Sequence, residues 1–159
     1  MKTHGDRTRM IPQLIVAGVA AVGIKRTHDY LTTSNHDWML RKTHNKVEKS
    51  SSESATILVD HVNDNVDADG NCAGELDADY IPDLIVKDFH NQNLIIEVET
   101  SESLESDPGH AKAQLSSFKK HGYRRVLVCD DTTVGKQFVE RNDLDGVVVA
   151  KASNIDQLL

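Results

Sequence analysis

The chain has 159 residues, 18 Lys and Arg against 25 Asp and Glu, a net charge of −7, two cysteines and 4% aromatics. That length suits one domain with a real core, built mainly from Val, Ile, Leu and Ala, and the acidic balance argues against a general nucleic-acid binder. Cys72 and Cys129 make no metal-ligand spacing and fit a reducing, cytoplasmic setting, and no apolar run reaches the roughly 20 residues that span a bilayer.

Charge is unevenly spread. Residues 1–49 carry nine Lys/Arg and four Asp/Glu, residues 50–110 one and fifteen, and residues 111–159 eight and six. Residues 10–33 read as a helix, apolar first and then polar, with Gly18 and Gly23 against it. Its apolar part has the outline of a signal peptide but no clear small-x-small cleavage site, so export is not expected. A second helix is expected over 34–49, starting at Ser34 or Asn35 and anchored by Trp38, Leu40 and Val47. Residues 1–48 thus form a helical extension to a domain spanning 49–159.

Ala55, Leu58, Val62 and Val66 recur at helical spacing and predict a helix over 51–66, with Glu53 in its first turn. Residues 66–82 read as a polar turn region with a short strand around Gly74–Leu76. Its start, NVDADG (65–70), imitates a calcium loop, but the acid needed at position twelve is Leu76, so an acidic hairpin loop is expected. IPDLIV (81–86) and NLIIEVE (93–99) read as strands joined by the turn HNQN (90–93). A helix follows, capped by Asp107 with Pro108 at its first position and Gly122 beyond its end. Then come a strand (123–131), a short helix (132–145) capped by Thr132 or Thr133, a strand (146–150) and a last helical turn (154–159). Strands alternating with helices predict an α/β fold, a mixed sheet covered by helices on both faces.

Alternate side chains of a strand share a face. Ile95, Glu97 and Glu99 therefore point one way, and Leu94, Ile96 and Val98 the other. Two acids on so apolar a strand are costly unless something compensates them, and Asp83 on the neighbouring strand closes the set. Three converging carboxylates suit a hard divalent cation and point to a metal-assisted hydrolase, above all a nuclease. The alternative is a structural network in which the acids pair with Lys112, Arg124 or Arg125. The eight histidines make no metal motif; His61, His90, His110 and His121 fall nearest the acids in sequence.

Pro82-Asp83, the hairpin and Glu97-Val98-Glu99 resemble the PD-(D/E)xK nuclease superfamily, whose fold is restriction-endonuclease-like. Gln114 with Phe118 matches the family's downstream helix loosely. KSSSESATILVDHV (49–62) is similar to the upstream helix of archaeal Holliday-junction resolvases and offers Glu53. The resemblance covers roughly residues 49–150 and implies a DNA endonuclease using Mg²⁺ or Mn²⁺. Asp83, Glu97, Glu53 and the Val98 carbonyl would be metal ligands, Glu99 the proton acceptor or a second-metal ligand, and Gln114 an accessory residue. A homodimer is implied on the same ground. The family's lysine is replaced here by Glu99, with Lys87 and Lys112 as candidates for a migrated one. A catalytically silent module that binds DNA or a protein partner is the alternative. The basic N-terminal segment is a candidate source of phosphate contacts.

Overall fold

A computed structural model describes residues 35–60, 69–120 and 122–158, all of which belong to one unit, Thr32–Leu159. The helix expected over 10–33 lies outside the described residues. Helix α1 covers 35–50 and buries Met39, Leu40, Thr43, His44 and Val47, the stripe that a 3.6-residue repeat produces. Leu40 and Val47 are anchors as expected, whereas Trp38 points outward and stays 60% exposed. Ser51 ends the helix by donating both its backbone N–H and its hydroxyl to the carbonyl of Val47. The expected boundary at 48/49 falls inside this helix.

Of the segment expected to be a helix over 51–66, residues 51–60 are instead a turn followed by strand β1 (Thr56–Val59), and residues 61–66 lie outside the described residues. Thr, Ile and Val lose side-chain freedom in a helix and pack well on a pleated surface. Pairing with β2 (Leu84–Phe89) and a parallel bridge from Leu58 to Gly70 then hold the segment extended. The apolar spacing at 55 and 58 fits either structure, and the sheet decides. No strand forms at Gly74–Leu76, where the chain runs through turns and bends.

Strand β2 runs into β3 (Gln92–Glu99) through a tight turn in which His90 and Asn91 take positive φ angles. Helices α2 (Ser101–Ser106) and α3 (Pro108–Ser117) lead to β4 (Tyr123–Cys129); α4 (Thr132–Arg141) leads to β5 (Val147–Ala150), and a 3₁₀ turn, η1 (Ala152–Gln157), follows. Asp107 caps α3 and Pro108 opens it, as expected. Helix α4 is capped by Asp131, whose carboxylate accepts from Thr133 N–H at 2.8 Å, in place of the expected threonines. Gly122, at φ 79°, serves the turn into β4, because α3 has already ended at Phe118.

The sheet order is β1-β2-β3-β4-β5, antiparallel through β3 and parallel from β3 to β5. The α/β expectation holds in that form: a mixed five-stranded sheet flanked by helices, with a helix before it. One face packs Leu84, Val86, Leu94, Ile96 and Val98 with α1 and η1. The other packs Ile95, Leu127 and Cys129 with α2, α3 and α4. The alternation read from the sequence therefore puts Glu97 and Glu99 under α2 and α3. Among the described residues no helix is long and apolar enough to cross a membrane.

Candidate active site

Strand register brings the acids together. Leu84 pairs with Ile96, which sets Asp83 opposite Glu97. Val59 pairs with Leu84, and Asp60 N–H donates to the Asp83 carbonyl at 2.9 Å, which sets Asp60 on the other side of Asp83. Side chains in one cross-strand row share a face, so Asp60, Asp83 and Glu97 form one row and Glu99 stands two residues beyond. Asp60 is buried. Sequence reading missed it because a helix was expected there; alternation along Leu58 and Asp60 would have revealed it.

Glu97 is 3% exposed. Its Oε2 is buried with no hydrogen-bond partner, and the Asp83 backbone N–H and the Gln114 side chain partly offset its charge. Burial first, then the charges of Asp83 and Glu99, pushes its carboxyl well above the usual range. Glu99 is also pushed up, chiefly by burial. The Ser103 hydroxyl, which donates to Glu99 Oε2, opposes that shift, as do the charges of His36 and His110. Asp83 Oδ2 accepts from Val98 N–H at 2.8 Å and faces His36 Nε2 at 3.4 Å.

His36 brings a cation to the site, and no motif or spacing in the chain pointed to it. It reaches Asp83 from α1, 47 residues away. Burial alone would lower its pKa. The hydrogen bond and charge of Asp83, with Glu99 behind it, outweigh burial and raise it to about 9, so the ring is protonated at neutral pH.

The other expected participants are elsewhere. Glu53 stands exposed in the turn before β1 and has no link to the cluster. Val98 meets Asp83 through its N–H, with its side chain in the opposite core. Lys87 pairs with Glu75 at 2.7 Å, and Lys112 is exposed on α3. Arg124 donates to the carbonyl of Leu158, and Arg125 to those of Leu115 and Asp145. The structural network of acids with Lys112, Arg124 or Arg125 is therefore not formed. His90 packs on Phe89; His61 and His121 lie outside the described residues. Asp69 at the calcium-like loop accepts from Ile57 N–H at 2.7 Å, a backbone tie to β1.

Two observations bear on a divalent cation. The orphaned Glu97 Oε2 and the raised carboxyls of Glu97 and Glu99 make an oxygen-rich, under-compensated cluster whose donor chemistry fits a hard cation. Against that, no group of three or more His, Cys, Asp or Glu among the described residues stands in a ligating arrangement. The donor set is right, and the side chains are turned to His36, Gln114 and Ser103. No known family, curated protein or solved structure matches the chain.

Proposed function

We propose that the protein is a metal-dependent DNA endonuclease of the restriction-endonuclease-like class, hydrolysing phosphodiester bonds at the cluster of Asp83, Glu97 and Glu99. The observation that carries this reading is the buried, unpartnered Oε2 of Glu97 beside two further carboxylates. Uncompensated buried charge is unfavourable, and sites that keep it are candidates for chemistry. The hairpin placing Pro82-Asp83 against Glu97-Val98-Glu99 supports the resemblance to PD-(D/E)xK nucleases.

In this reading Asp83 and Glu97 hold Mg²⁺ or Mn²⁺, with Glu99 and Asp60 nearest to complete the shell. The bound cation supplies charge neutralisation at the scissile phosphate. Gln114 holds the Glu97 carboxylate in place. Glu99, made more basic by burial, accepts a proton from the attacking water. His36 provides the positive charge that the resemblance assigns to a lysine where this chain has Glu99. A homodimer remains part of the reading on the resemblance alone.

A second reading is a silent module that binds DNA or a protein partner. It is favoured by the absence, among the described residues, of a preformed ligating group and by His36 already seated on Asp83. One assay separates the two: cleavage of plasmid, linear and four-way-junction DNA with Mg²⁺ or Mn²⁺, by wild type, Asp83→Ala and Glu97→Ala. Metal-dependent cutting lost in both variants supports the nuclease. No cutting by folded wild type moves the silent module to first place.

A further inference from the structure

The outward side of α1 carries a second feature, opposite the stripe that packs on the sheet. Trp38, Arg41, Lys42, Lys46 and Lys49 line a groove of about 540 Å³ with Ala152 and Ser153 of η1. A smaller cavity of about 170 Å³ shares Trp38, Lys42, Ala152 and Ser153 and extends past Lys151 to Cys129 and Asp130. In the parallel pairing of β3 with β4, Cys129 stands beside Glu99. The groove therefore runs toward the sheet end that carries the acids. At its Trp38 end, α1 also carries His36, two residues away, to Asp83.

Two independent observations identify the ligand chemistry. The first is charge. In a chain of net charge −7, five cations gather here. Lys46 is paired with Asp156 at 2.9 Å, but among the described residues no carboxylate is paired with Arg41, Lys49 or Lys151. Asp130, at the far end, is tied to the N–H and hydroxyl of Ser101. The second is Trp38. An indole 60% exposed is unusual in a chain this poor in aromatics. The Lys42 ammonium lies 4.8 Å from its ring centre, and the exposure of the indole leaves aromatic surface on which a base can stack. Cations tracking a backbone beside an open aromatic plane are the elements that bind single strands, because unpaired bases can stack and paired ones cannot.

We propose that the groove between α1 and η1 binds single-stranded DNA, with one base stacked on Trp38 and phosphates held by Arg41, Lys42, Lys49 and Lys151. The choice of DNA rests on the nuclease reading; the groove itself does not. It would hold an unpaired stretch of substrate along the α1 side of the sheet, at the end where His36 of α1 reaches Asp83.

Trp38 is the only tryptophan, so its fluorescence reports on the groove directly. The experiment titrates the full chain in EDTA, which blocks cleavage, with a 20-nucleotide oligo(dT). The same titration is run with a duplex of equal length, oligo(U) and poly-glutamate. The expected result is saturable quenching by oligo(dT), with affinity about tenfold or more above that for the duplex. Direct binding by anisotropy should weaken about tenfold or more in Trp38→Ala, an exposed change that leaves the core intact. The salt slope should fall by about 1.4 in the double variant Lys42→Gln/Lys49→Gln, two phosphate contacts at about 0.7 each. The proposal is overturned by duplex binding equal to oligo(dT), by tighter binding of oligo(U), by equal quenching with poly-glutamate, or by variants that bind as wild type does. Binding without cleavage in Mg²⁺ would sink the nuclease reading and leave the groove standing; cleavage without this binding would do the reverse.

Discussion

The acid cluster and the outward face of α1 are two collections of like charge treated in opposite ways. Glu97 is taken out of water beside Asp83 and Glu99, and its carboxyl is forced toward the neutral form. Lys42 and Lys49 stand in solvent, where repulsion between neighbouring cations is screened. The same kind of crowding is thus costly in one place and nearly free in the other. Burial, more than the number of charges, marks a place where the fold gives up stability.

The two regions should differ most in activity. Asp83→Ala or Glu97→Ala should lower metal-dependent cleavage by at least about 100-fold, while Lys42→Gln with Lys49→Gln should only weaken substrate binding. Equal losses in both sets would mean that the cluster is not a distinct reaction site.

Stability sharpens the contrast further. Glu97→Gln replaces a strained carboxylate with a neutral amide of the same shape, whose N–H₂ can face Asp83 and Glu99. It should stabilise the fold at pH 8 by about 1 kcal/mol, raising the Tm by about 3 °C. A fall in Tm would show that the charged form is already well compensated.

Glu97 and Glu99 have raised pKa values in the fold, so above about pH 4.5 the folded chain holds protons that the unfolded chain has released, and stability falls as pH rises. His36, raised to about 9, contributes stability that is fully present below its ordinary value of 6.5 and lost as pH climbs through 9. All three groups act in one direction. Melting temperatures should therefore decline from pH 5 to pH 9, and the carboxylate part of that decline should shrink in Glu97→Gln. A flat profile would contradict the strained cluster.

Smaller effects come next. His36→Gln removes the cation facing Asp83 while staying polar; its ring is 31% exposed, so at pH 7 the loss should be about 0.5–1 kcal/mol, read by urea unfolding. The share of the decline between pH 6.5 and 9 that His36 supplies should disappear with it. Last, Lys42→Gln with Lys49→Gln should change stability by no more than about 0.5 kcal/mol. A larger change would mean that the groove cations hold the fold together.

What could be read directly from the chain is what local geometry dictates. Period-2 alternation put Glu97 and Glu99 on one face and Val98 on the other, because pleating depends only on the strand's own backbone. Asp107 and Pro108 opened α3 for an equally local reason, a cap followed by a preset φ. Tertiary structure decided the rest. Residues 56–59 fit two periodicities over so short a stretch, and pairing with β2 made them a strand and carried Asp60 beside Asp83. That same outcome left Glu53 in solvent. His36 reached Asp83 only because α1 packs on the sheet, and Trp38 faced outward because Met39, Leu40, Thr43, His44 and Val47 claimed the opposite side. Contacts between distant segments depend on register and packing, and no spacing within either segment encodes them.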